Sequence, residues 1–230
     1  MTAHPMKRTD FDQFARSYDA VLAESLNRYG ADVGYYHRYK ADLAARLYGA
    51  NPGRVLDYGC GAGMNLGHLR AVFPQARLSG CDVSAESLRV AASRHPDVSF
   101  HDLSAGDVPP GVYDLVFVSN VLHHVPPAER TAFMERIERL MAPGGELFIF
   151  EHNPKNPVTR RVVRDCPLDE DAILLPLDET VALAEHAGLR VKTARYALFF
   201  PAALKRLAFL DRVLFRLPLG AQHCLQAVKE

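Results

Sequence analysis

No two of the four cysteines, Cys60, Cys81, Cys166 and Cys224, stand at CxxC spacing, which argues against both a disulfide framework and a cysteine-based zinc site and fits a reducing cytoplasm. Nor is there an excess of charge of either sign. Lys plus Arg and Asp plus Glu both number 27, so nothing global asks for nucleic acid or an anionic membrane as partner. A run of apolar residues long enough to span a bilayer is missing, and Met1 to Asp10 lacks the apolar core of a signal segment; a cytoplasmic protein, neither secreted nor integral to a membrane, is expected. The histidines lack a spaced cysteine or carboxylate pattern, so no metal is expected. What remains is 230 residues, 48% hydrophobic, enough for one α/β domain with a full core and short for two.

The stretch that organises the chain is Val55-Leu56-Asp57-Tyr58-Gly59-Cys60-Gly61-Ala62-Gly63-Met64-Asn65. An apolar strand ends at Asp57, a glycine-rich turn follows, and a helix begins. In a doubly wound sheet the carboxyl end of such a strand opens onto the ligand crevice. Gly59, Gly61 and Gly63 let the backbone turn sharply and approach a ligand. The helix N-terminus then presents free N–H groups to a carboxylate. The glycines fall as GxGxG rather than the GxGxxG of dinucleotide sites, and Asp57 would repel a pyrophosphate but can accept hydrogen bonds from an ammonium group. This arrangement resembles motif I of the class I S-adenosylmethionine (SAM)-dependent methyltransferases, in which the loop holds the methionine end of the cofactor.

Before this motif, apolar residues at helical spacing predict a helix over Phe11 to Arg28 with Asp10 as N-cap, and a second from about Tyr35 to Leu47. After it, the pattern predicts a helix over Leu66 to Phe73, a strand over Ala76 to Asp82, a helix capped by Ser84, and a strand over Val98 to Phe100. Tyr113 to Asn120 is a near-continuous apolar run of the kind buried on both faces. A helix over Pro127 to Met141 and a strand over Glu146 to Phe150 follow. A helix over Pro176 to Gly188 with Asp178 as cap comes next, then strands over Leu189 to Phe200 and Gln222 to Lys229. Pro201 to Leu217 carries an apolar stripe opposite Lys205, Arg206, Arg212 and Arg216, with core packing or a homodimer contact as its default use.

The resemblance extends past motif I. Tyr113-Asp114-Leu115-Val116 leading to Leu122-His123-His124 resembles the family's YDLVxxxxxLHH segment, and LMAPGGELFIFE, ending at Glu151, resembles its LxPGGxLxxxE junction. It implies an α/β fold, a Rossmann-like doubly wound seven-stranded sheet with the last strand antiparallel. Residues 1–53 are then expected as an N-terminal helical lid and residues 54–230 as the SAM-binding domain, with a helical insertion at about 201–217. SAM is the implied cofactor. Its contacts are expected at Tyr18, Asp57, Gly59, Cys60, Gly61, Gly63, Asn65, Asp82, Val83, Asp102, Leu103 and Asn120, with Asp82 taking the ribose hydroxyls and Asp102 near the adenine amino group. The polar, proline-broken segment from Glu151 to Asp171 stands where an acceptor should bind. His124, His152, Glu151 and Tyr36 are the catalytic candidates, a near-neutral histidine being suited to take a proton from an amine or hydroxyl.

The reaction expected is transfer of a methyl group to an O, N or C atom of a small molecule. Two alternatives stay open at this point. One is a SAM-consuming enzyme of the same fold that transfers or cyclises the aminobutyrate arm to azetidine-2-carboxylate, releasing methylthioadenosine. The other is a non-catalytic SAM-binding regulatory subunit.

Overall fold

The computed structural model describes residues 11–15, 17–27, 32–106 and 108–230, without the side chains of Phe11, Tyr18, Asp19, Leu26 and Asn27. The expected cap Asp10 and the side chain of the candidate Tyr18 therefore lie outside the described residues. The chain enters through α1 (Phe11–Phe14), α2 (Tyr18–Asn27) and α3 (Val33–Tyr48). Alternation then sets in: β1 (Arg54–Tyr58), α4 (Leu66–Val72), β2 (Arg77–Asp82), α5 (Ala85–Arg94), β3 (Ser99–Asp102), β4 (Tyr113–Ser119), α6 (Arg130–Leu140), β5 (Met141–His152) and α7 (Pro157–Arg164). It closes with α8 (Leu177–His186), β6 (Leu189–Ala197), α9 (Asp211–Leu214) and β7 (Gln222–Lys229).

The strands form one seven-stranded sheet in the order β3-β2-β1-β4-β5-β7-β6. Every neighbouring pair is parallel except β5 with β7 and β7 with β6, so β7 alone runs against the rest. The order reverses between β1 and β4, and a crevice opens at their carboxyl ends because the connections leave to opposite faces there. The central strands read as continuous apolar runs because both faces are covered. Val116, Val118, Leu147 and Ile149 pack with Met134, Ile137 and Leu140 of α6 on one face. On the other, Leu115, Phe117, Phe148 and Phe150 pack with Ala41, Leu43 and Ala44 of α3 and Leu66 and Leu69 of α4.

Several boundaries differ from the sequence-based expectation. The first helix is interrupted between Phe14 and Tyr18, and the second begins earlier, with the Asp32 side chain accepting from Tyr35 N as a cap. Pro127–Glu129 is a 3-10 turn leading into α6. Asp178 lies within the first turn of α8 and makes no cap hydrogen bond, the N-cap position being Pro176. The segment after β6 is not one amphipathic helix. It is a 3-10 run over Ala202–Leu210, kinked at Leu204, followed by the short α9. Leu204, Leu207, Phe209, Val213 and Leu217 face solvent instead of the core. Among the described residues, no helix is long and apolar enough to cross a membrane.

Candidate SAM and acceptor site

The glycine turn owes its shape to its neighbours. Gly59 adopts φ +73°, and a Cβ there would stand 2.5 Å from Val121 Cγ2, so the loop after β1 can lie against the loop after β4 only with glycine at this position. Asp82, at the end of β2, ties the turn down: its Oδ2 accepts from Gly61 N at 2.8 Å and its Oδ1 from Ser84 N at 2.9 Å. Burial raises the Asp82 carboxyl, with those backbone N–H groups opposing the shift.

These loops and α3 surround a cavity of about 810 Å³, toward the upper end of the roughly 300–1,000 Å³ typical of ligand pockets. Gly59, Cys60, Gly61, Asn65, Asp82, Val83, Leu103 and Asn120 all lie on its wall. Val83 is 64% exposed, an apolar side chain left open at the rim beside Asp82. Asn120 holds the left-handed conformation, φ 58°, and its Oδ1 accepts from Gln222 Nε2 at 2.9 Å. The sequence-derived candidates Asp57, Gly63 and Asp102 are not on the wall. Asp102 Oδ1 accepts from Ser104 N and Oγ. Gly63 packs against α5: its carbonyl lies 3.0 Å from His95 Nε2, and a Cβ would meet His95 Cδ2 at 2.9 Å.

Asp57 is wholly buried, beside the wall residues Lys40 and Asn65. Among the described residues neither of its carboxylate oxygens has a hydrogen-bond partner of good geometry, Asn65 standing beside it. Burial pushes its carboxyl up to about 7, while Lys40 and the nearby Asn65 favour the charge. A buried acceptor pair without a donor is costly, and an ammonium group of a ligand would satisfy it. The residues present thus fit a cofactor with a positively charged amino group, and Lys40 partly fills that electrostatic role from within the chain. Its Nζ donates to Ser119 Oγ at 2.5 Å, and burial lowers the ammonium to about 8 against the pull of Asp57 and Glu151.

The rest of the wall is mixed. His124, His152, Asp169 and Asp171 line it, with Asn156 and Thr159 from the start of α7, Tyr36, His37 and Lys40 from α3, and apolar Val158, Val162, Leu168 and Phe199 between them. Burial raises the Tyr36 hydroxyl and lowers His37 to about 3, so both stay neutral. Glu151, a catalytic candidate in the sequence, is fully buried and off the wall. It accepts from Val121 N at 3.0 Å and Leu122 N at 2.7 Å, and its Oε2 lies 2.6 Å from His123 Nδ1. Its work is to position the loop after β4. Burial opposes the charge on both members of that pair, yet the attraction between them holds Glu151 down at about 2 and, with Asp169, His123 up at about 10. Burial, with charged His123 next in effect, lowers His124 and takes His152 down to about 4. Of the adjacent pair His123 and His124, one therefore serves the scaffold and the other reaches the cavity.

Sequence reasoning missed Lys40 as a wall residue, because its helix reads as an ordinary amphipathic one. It also missed a grouping of three side chains. His123, His152 and Asp169 each offer a ligand atom, all within 4.8 Å of one another. They come from three separate segments, so no spacing rule exposes them.

The strand order, the glycine turn and the cavity at the switch point define the class I SAM-dependent methyltransferase fold, and residues 55–145 match the family described as methyltransferase domain. Over that stretch the chain resembles the class I SAM-dependent methyltransferases. It is 35% identical over 135 residues to a trans-aconitate 2-methyltransferase of Methylobacterium nodulans, covering 56% of this chain and 52% of that protein. The chain spans about half the length of the curated relatives it matches. Among solved structures it resembles a SAM-dependent methyltransferase of Thermotoga maritima described as a possible histamine N-methyltransferase, with TM-score 0.67 and 13% identity, covering 96% of this chain and 98% of that one. It also resembles human N-acetylserotonin methyltransferase in complex with SAM, with TM-score 0.62 and 17% identity over 95% of this chain and 55% of that one. At these identities the structural matches speak for the fold.

Proposed function

We propose that this protein transfers the methyl group of SAM to an oxygen of a small-molecule acceptor. The observation that carries the reading is that one cavity joins two unlike walls: the glycine turn with Asp82 and Val83, and the polar group of His124, His152, Asn156 and Lys40. When bound, SAM supplies a sulfonium-activated methyl group, which leaves as the electron pair of its carbon–sulfur bond returns to sulfur. The chain's own task is to bind, align and keep water out. Asp57 would accept from the cofactor's ammonium, the glycine loop and Asp82 would hold its middle, and Val83 would offer an apolar edge to the base. Tyr36, His37 and Lys40 project from α3 over the same space. Fixing acceptor and methyl donor in line can supply about 7–11 kcal/mol of the barrier.

Oxygen is favoured as acceptor because the wall sets the Lys40 ammonium, the Asn156 amide and imidazole nitrogens beside the carboxylates of Asp169 and Asp171, donors and acceptors that together suit a hydroxyl group. The relatives named trans-aconitate 2-methyltransferase agree with a carboxylic acid. The test is to incubate the protein with methyl-labelled SAM and a set of small hydroxy and carboxylic acids and to follow both products by mass spectrometry. S-adenosylhomocysteine and labelled acceptor in equal amounts are expected. Methylthioadenosine formed from SAM alone would overturn the reading in favour of attack on another carbon of the cofactor.

A further inference from the structure

We infer that His123, His152 and Asp169 bind a divalent transition-metal ion of the zinc type in the acceptor half of the cavity. Their ligand atoms converge to within 4.8 Å of one another, from the loop after β4, the end of β5 and the 3-10 turn Pro167–Asp169. The separation of His123 Nε2 from Asp169 Oδ1 is 3.4 Å, close to the span of about 3.4 Å that two bonds of about 2.1 Å make at a tetrahedral angle.

The second observation is the placing of one ring nitrogen. His123 Nε2 is buried, and Asp169 Oδ1 faces it at 3.4 Å. On the other side of the ring, Nδ1 donates to Glu151 at 2.6 Å. A carboxylate that fixes one ring nitrogen is the arrangement found behind metal-bound histidines, where it orients the ring; a metal ion would displace the proton from Nε2 and take its place. Glu151 is in turn held by Val121 N and Leu122 N, so the ring cannot swing away. His124 repeats the pattern: its Nδ1 lies 2.8 Å from Asp171 Oδ1, and its Nε2 is 3.7 Å from the same Asp169 Oδ1.

Charge points the same way. Glu151, Asp169 and Asp171 face this cluster, against charged His123 and against Lys40, which is shared with Asp57. Exchanging the His123 proton for a divalent ion would offset the remaining negative charge. Two imidazole nitrogens and one carboxylate suit zinc and its neighbours in the first transition row, and three protein ligands leave a coordination position open. His152 and Asp169 lie on the cavity wall, so that position faces the acceptor. There the ion would hold an acceptor oxygen as a Lewis acid and favour loss of a hydroxyl proton to solvent, with no change of oxidation state. This use on the acceptor rests on the methyl-transfer reading; the binding of the ion does not.

The experiment is to strip the full chain with a chelator, titrate it with Co(II) and Zn(II), and measure bound metal after dialysis together with the visible spectrum of the cobalt form. One equivalent bound is expected, with the d–d bands of a site of low coordination number. His152→Ala and Asp169→Asn should each lower affinity at least tenfold with an unchanged far-ultraviolet circular dichroism spectrum, and Glu151→Gln should lower it roughly 10- to 100-fold by releasing the ring. Absence of stoichiometric binding, or binding that survives both His152→Ala and Asp169→Asn, would overturn the proposal. Neither readout uses methyl transfer, so a protein that binds metal without methylating, or methylates without metal, separates this inference from the proposed function.

Discussion

Replacing Asp57 by asparagine keeps the shape of the side chain and removes its charge, and the two consequences should run in opposite directions. The folded carboxyl is raised by burial from 3.8 to about 7. A tenfold change in proton affinity corresponds to about 1.4 kcal/mol, so keeping this group ionised above its folded pKa costs on the order of 4 kcal/mol. The sign follows from proton counting. The folded state binds more protons than the unfolded one between the two pKa values, so this group's contribution falls as pH rises through that interval and is at its worst above about 7. The asparagine would escape the charge penalty but still bury an amide, and Lys40 would lose a partner. A net gain of about 1–3 kcal/mol is therefore expected, or roughly 2–10 °C in melting temperature for a chain of this size. Binding should move the other way, since a charge-assisted hydrogen bond to an ammonium is worth about 1.5–3 kcal/mol, or roughly 10- to 150-fold in SAM dissociation constant. Thermal melts without ligand across the pH range, with calorimetric titration of SAM, give both numbers. The gap in melting temperature between variant and wild type should open as pH rises from 3.8 to about 7. A variant that melts lower than wild type yet binds SAM equally well would refute the reasoning.

Lys40→Met removes the charge that steadies Asp57, so the Asp57 carboxyl should climb further and the pH midpoint of SAM binding should move upward; an unmoved midpoint in calorimetric titrations would show that the two groups are not coupled. Gly59→Ala forces a Cβ into Val121 at a positive φ and should cost about 1–3 kcal/mol in denaturant unfolding along with most SAM binding, while adding Val121→Ala should recover part of both because the steric conflict is with that side chain. Val83→Asp, at an exposed position, should leave stability within about 0.5 kcal/mol and still weaken SAM binding. Equal affinity in fluorescence titrations would place the cofactor's apolar edge elsewhere.

The elements legible in the sequence were those whose signal is local. β4 announces itself because Tyr113 to Val118 is largely apolar and buried on both faces, and motif I because glycine spacing and Asp57 stand side by side. Residues whose role depends on a distant partner were harder to read. Asp102 reads as a cofactor ligand by position, and the fold adds two bonds from Ser104 to its Oδ1 that no spacing announces. Glu151 looks like a catalytic group until the fold brings His123 and two backbone N–H groups onto it. Lys40 carries no local mark, and Asp169 only that of the polar segment it belongs to, since each acquires its meaning when α3 and the 3-10 turn Pro167–Asp169 meet the ends of β4 and β5. The stripe over 201–217 misled for a related reason: its periodicity implied one helix, whereas the kink at Leu204 breaks the run and leaves its apolar residues outside.

The most direct test of methyl transfer is the identity of the sulfur-containing product. With methyl-labelled SAM and the acid acceptors, the account predicts S-adenosylhomocysteine appearing in step with label in the acceptor, both strongly reduced in Asp57→Asn at low SAM. Label retained in methylthioadenosine, with a four-carbon amino acid released beside it, would contradict the account.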